Sequence, residues 1–229
     1  MRDFLISICP AAIWGIVAAE ALLAVLLFLL TARKRQKFSL LAGVVTLGLI
    51  LDAALIGLGT VLSADVLRTV SPIRFLAHGL LIPLLLPICG YGLRWKKKAM
   101  TVVWIVTILL MAAGAAQALV TVLEPREIAG VVRYAASEAT PGWAAAVSRV
   151  LSFGTVIPLM IAGVIVWIRE KTPLLFLSGF LMFVFSALGP ATGNSDLIFF
   201  ISMFGELFMV LFLYLFAVRG ASTRKSSPR

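Results

Sequence analysis

Long apolar stretches separated by short clusters of charge dominate this chain. Seven of them occupy residues 11–31, 39–62, 73–93, 100–123, 147–168, 174–189 and 197–218. Each holds 16 to 24 residues, close to the ~20 that carry a helix across a bilayer. The pattern predicts an all-α integral membrane protein, a seven-transmembrane-helix bundle over residues 1–219. A basic cytoplasmic tail, 220–229, is rich in Ser, Arg and Lys and is expected to be disordered.

Composition narrows this further. Of 229 residues, 62% are hydrophobic and 13% charged, with a mean hydropathy of +1.09. The spans consume most of the chain, so no soluble catalytic domain fits, and no Gly-rich phosphate loop is present. Nucleic-acid enzymes and P-loop machines are thereby excluded. The first stretch is too long for a secretory signal and its basic cluster follows it, so it is expected to remain in the membrane.

The formal charge of +10 is unevenly placed. Fourteen basic residues fall on one side of the predicted spans, in clusters at 33–37, 94–98, 169–171 and 219–229. Four fall on the other: Arg2, Arg68, Arg126 and Arg133. The positive-inside rule then puts the N-terminus outside and the C-terminus in the cytoplasm, most simply of a plasma (inner) membrane. The charge calls for anionic membrane lipids as partners and for no nucleic acid. Trp14 and Trp143 at outer helix ends, and Trp95, Trp104 and Trp167 at inner ends, match an aromatic belt. Cys9 and Cys89 fall near opposite faces of the bilayer, too far apart for a disulfide.

Polar groups inside the spans carry the functional signal, because a charge at mid-bilayer costs at least ~2.5 kcal/mol on insertion scales. They are Glu20, Asp52, Arg74, His78, Gln117, Arg149 and Glu206. At 1.5 Å per residue all lie in the outer half, Glu20, Asp52 and Glu206 about 13–15 Å deep. The inner half of every span is nearly bare of ionisable groups. Such a division describes a pocket open outward or to the outer leaflet above an apolar plug; charges that merely pair to lock the bundle are the alternative.

Spacing supports convergence. Arg74 and His78 share a helix face, as do Arg149 and Ser152, and Ser195, Ser202 and Glu206. Asp52 is the expected partner of Arg74. Gly48, Asp52 and Gly59 form a small-residue stripe that allows close helix approach, and residues 112–116 read as a packing seam. Pro83, Pro87 and Pro158 free the carbonyls of Gly79, Pro83 and Gly154, which must find partners or line a cavity. Ser195 or Asp196 is expected to cap the last helix. The outer loop 124–146 is expected to be a plain linker, a short surface helix or a lid.

Known seven-span classes are tested by what is missing. A retinal Schiff base needs a Lys in the last span, and zinc or bis-histidine haem needs more than one His; neither is present, so no cofactor or metal is predicted. The paired Pro-Gln signatures of seven-span sugar carriers are absent as well. Small seven-span membrane terpene cyclases are similar in size and place acids in the second and last spans, as Asp52 and Glu206 do; no motif around Asp52 matches them. Two function classes remain. One is intramembrane acid–base chemistry on an amphipathic lipid or isoprenoid-like molecule, with Glu206, Asp52, His78 and Glu20 as proton-handling groups and Arg74, Gln117, Arg149, Ser152 and Ser202 as binding groups. The other is a proton- or cation-coupled transporter of small solutes using the same acids. A ligand-sensing receptor is a third.

Overall fold

Charge, proline and glycine decide where each helix stops. A computed structural model of the chain describes residues 2–128, 130–191 and 195–223. Helix α1 (Arg2–Lys34) is followed by α2 (Lys37–Gly57) after a two-residue turn. Arg35 makes that turn in left-handed backbone, φ 50°, and its N–H donates to the Thr31 carbonyl at 2.7 Å. Helices α5 (Leu85–Gly92) and α7 (Gly142–Glu170) are followed by residues of the same kind, Arg94 (φ 57°) and Lys171 (φ 54°). Left-handed backbone costs a non-glycine residue about 1–2 kcal/mol. In exchange a cation lies at a helix C-terminus, where the last carbonyls carry partial negative charge. The three corners lie at one end of the bundle, called here the basic end.

Between α2 and α5 the chain is the least regular. A short helix α3 (Ala64–Val70) precedes α4 (Pro72–Leu81), and a 3₁₀ turn at Ile82–Leu84 joins α4 to α5. Pro72 opens α4 where its missing N–H costs nothing, whereas Pro83 interrupts the helix at the turn. The irregularity follows from the prolines, and the apolar segment starts at Ala64, earlier than the residue 73 that hydropathy alone suggests. Pro158, by contrast, is carried inside a continuous α7. Helix α6 (Lys97–Val120) crosses α4 at Gly79 and Gly114, where a Cβ added to Gly79 would stand 2.6 Å from the Gly114 carbonyl. The Ala/Gly run of α6 is thus a packing seam, as its composition suggests.

Residues 124–146 correct the sequence reading. They form neither a linker nor a surface helix: β1 (Leu123–Ile128) and β2 (Val131–Ala136) make an antiparallel hairpin, with Leu123 opposite Ala136 and Ile128 opposite Val131. Gly130, at φ 74°, supplies the left-handed residue such a tight turn needs. Val131 is fully buried against the bundle, and Gly59 meets the Val132 carbonyl so closely that no side chain fits there. On the other face of β2, the Tyr134 hydroxyl donates to the Ala64 carbonyl of α3 at 3.2 Å.

Helices α8 (Leu174–Ala191) and α9 (Ser195–Thr223) complete the chain; α8 packs between α7 and α9, and α9 against α1. The last helix continues through Thr223, so residues 220–223 extend it instead of belonging to a disordered tail. The rest of the expected tail, and the side chains of Ser195 and Asp196 with their expected capping role, lie outside the described residues. Among the described residues, six helical segments are long and apolar enough to cross a membrane, and the apolar part of α8, Leu174–Ala187, is shorter. The chain is a helical membrane bundle.

Its apolar core is divided. A large cluster toward the basic end includes Leu27, Leu49, Leu85, Ile88, Leu159, Met209 and Leu213, all at most 1% exposed. A smaller one near the hairpin joins Cys9, Ile13, Ile56 and Met203 to Val131. Lipid tails are as apolar as leucine, so close packing, and not escape from water, holds the large cluster together.

Candidate functional site

The site is built around an ion pair between adjacent helices. Asp52, in the second turn from the end of α2, and Arg74, in the first turn of α4, are both buried. Arg74 Nε donates to Asp52 Oδ1 at 2.8 Å and Nη2 to Oδ2 at 3.3 Å, a two-pronged pairing that fixes both side chains. The remaining Arg74 nitrogen, Nη1, donates to the Tyr134 carbonyl of β2 at 3.4 Å. This is the partner that spacing predicts for Asp52, with the hairpin added to it. One turn along α4, His78 Nδ1 stands 3.9 Å from Asp52 Oδ1.

Beside the pair lies a cavity of ≈250 Å³, walled by residues of α2, α4, α6, α7, α9 and β2. Asp52, Arg74, His78, Gln117, Ser152, Ser202 and Glu206 all line it, so seven of the nine sequence-predicted residues converge. Gln117 Nε2 donates to Thr121 Oγ1 at 2.7 Å, which orients the amide at the end of α6. Arg149 is a correction: it is exposed, and its Nε donates to the Ala145 carbonyl of its own helix at 3.3 Å. The rotation of α7 that puts Ser148 and Ser152 on the cavity leaves Arg149 facing outward. Glu20 does not line the cavity either. It is fully buried, and both carboxyl oxygens lack a hydrogen-bond partner among the described residues, yet it lies near enough to the carboxyls of Asp52 and Glu206 to influence them.

Arg133 of β2 also lines the cavity and was not singled out from sequence. It shares the inward strand face with buried Val131, two residues away. Burial, with the positive charge of Arg74 nearby, lowers the Arg133 guanidinium pKa to about 10, still cationic at neutral pH. The signal available in sequence was the β-prone run from Val131 to Tyr134 after a glycine. Nothing in the run itself shows that it folds back over the helices.

A second cavity, ≈180 Å³, adjoins the first on the side of the basic end. Its walls are apolar, with Leu49, Phe153, Val156, Met182, Phe183 and Met209 contributing. His78, Ile82, Ser152 and Glu206 belong to both cavities and form their common wall. Phe153 and Phe183 are 54% and 36% exposed, so the apolar chamber reaches the outer surface of the bundle between α7 and α8. A carboxyl, an imidazole and a hydroxyl thus stand where a polar chamber meets an apolar one. Together these groups can hold, give and accept a proton next to an apolar chain. Among the described residues no cluster of side chains is arranged to hold a metal ion.

Comparison with known proteins matches the chain to no family model and to no curated protein sequence.

Proposed function

We propose that this chain is a seven-span protein of the plasma (inner) membrane, N-terminus outside, whose polar cavity performs acid–base chemistry on an amphipathic, lipid- or isoprenoid-like molecule. The observation that supports this reading most is the common wall: Glu206, His78 and Ser152 border a polar chamber and an apolar one at once. A molecule with a polar head and an apolar chain matches both compartments, whereas a small solute matches only the first. In this account Glu206 gives the proton and His78 takes one back, with Ser202 one turn before Glu206 to orient it. Arg74 is occupied by Asp52 and serves to hold the site's shape.

The test is what the purified protein carries. Wild-type protein extracted from its native membrane is expected to yield a bound amphipathic molecule by mass spectrometry, and Ser186→Trp, which fills the apolar chamber, is expected to lose it. Retention by Ser186→Trp would contradict the reading. The orientation has its own check: a reporter fused at the C-terminus should be cytoplasmic, and an external one would reverse the topology.

Glu20 favours a second reading, a proton- or cation-coupled transporter. A buried carboxyl without a hydrogen-bond partner among the described residues, near two further acids, suits a coupling ion. Proton- or sodium-dependent uptake into proteoliposomes, abolished by Glu20→Gln, would favour it over the enzyme.

A further inference from the structure

The basic end holds a hollow of its own, ≈360 Å³, enclosed by the α1–α2 turn, the end of α5 and the last turns of α9. Its wall is rich in donors: Arg35, Gln36 and Lys37 from one corner, Tyr91 and Arg94 from another. Ser39 Oγ donates to Gln36 Oε1 at 2.9 Å, which leaves the Gln36 amide N–H groups for a different acceptor. The carboxylate in this wall, Glu170, is engaged by Arg94 at 3.1 Å. Phe38 and Phe216, ring centroids 5.2 Å apart and both buried, add an apolar side.

General positive charge at this end does not explain the arrangement. A cation anywhere in the last turn would complement a helix C-terminus. Arg35 and Arg94 instead occupy the reversing residues themselves, in left-handed backbone that glycine would adopt more easily, and both line the same hollow. Lys171, the third such corner, does not line it. Trp95, next to Arg94, and Trp167, one turn before Lys171, are each 46% exposed, as indoles at headgroup level are.

We propose that this hollow binds a phosphate group, presented by an anionic phospholipid. Guanidinium forks and a lysine ammonium suit phosphate oxygens, and the phenylalanine pair suits the first carbons of the lipid. The proposal is independent of the chemistry assigned to the polar cavity.

Native mass spectrometry of the purified full chain, with dioleoylphosphatidylglycerol or dioleoylphosphatidylcholine added, tests it. Wild type is expected to retain the glycerol lipid over the choline lipid. Arg35→Gly with Lys37→Gln removes two cations, the first by the residue its backbone favours, and should weaken the glycerol lipid about thirtyfold. Lys37→Gln alone, at an exposed side chain that leaves the turn intact, should lose about fivefold. Arg33→Gln with Lys98→Gln, the same charge change outside the hollow, should leave retention unchanged. Absence of lipid preference in wild type, or equal loss in that control, would overturn the site. Inorganic phosphate at millimolar concentration separates the sources: displacement of the lipid means the hollow reads phosphate alone, and persistence of the lipid means its chains take part in recognition.

Discussion

The half of the bundle nearest the hairpin and the half nearest the basic end are built on opposite terms. Toward the basic end the interior is a continuous apolar cluster from α1, α2, α5, α7, α8 and α9. Toward the hairpin it contains an ion pair, a histidine, a glutamine and two further acids, with only a small apolar cluster beside them. Buried charges are expensive in a bilayer, and an ion pair gains little net stability over well-packed apolar side chains. A sequence selected for stability alone would have filled both halves alike. Apolar packing is therefore concentrated in one half and polar groups in the other, and the wall between them is where Glu206 stands.

The largest expected effect comes from breaking the pair that makes the polar half tolerable. Asp52→Ala leaves Arg74 buried and uncompensated and should cost about 3–5 kcal/mol, read as a lowered thermal unfolding midpoint in detergent. Replacing both partners, Asp52→Leu with Arg74→Met, should recover most of that loss while abolishing ligand retention. A stable Asp52→Ala protein would mean the pair is not what holds this half. In the apolar half, Leu213→Ala should cost about 2 kcal/mol, mainly the cavity it leaves, since lipid replaces water as the reference. That variant should keep its ligand; losing it would show that the two halves are not separable. The smallest effect belongs to the hairpin. Tyr134→Phe removes the hydroxyl bond to Ala64 and should cost about 1 kcal/mol, with faster hydrogen exchange in β1 and β2. Exchange left unchanged would show that the hairpin is held by Val131, the Gly59 contact and the Arg74 bond to the Tyr134 carbonyl without help from the hydroxyl.

Much of this division was legible in the sequence because its causes are local. Most helix extents follow from apolar runs, the basic corners from charge clusters, and the convergence of Asp52, Arg74, His78, Gln117 and Glu206 from their placement in the same half of the apolar segments. Depth alone says nothing about azimuth. Glu20 and Arg149 lie at plausible heights, yet one is sealed within the bundle and the other faces away, and only the helix rotations set by packing decide which. The hairpin escaped for a different reason. Its strands are short, β1 carries Glu124, Arg126 and Glu127, and what secures them is long-range: the Val132 carbonyl packs against Gly59 and the Tyr134 carbonyl accepts from Arg74, each 60 or more residues away in sequence. Arg133 became a site residue through that docking and through nothing in its neighbours.

The account rests on one molecule occupying both chambers across their common wall. Its most direct test is an experimental structure of the wild-type protein in nanodiscs of its native lipid. The account predicts one elongated density, its polar end among His78, Ser202 and Glu206 and its apolar end beside Met182 and Phe183. Density for a lone ion or solute in the polar chamber, with the apolar chamber empty, would contradict it.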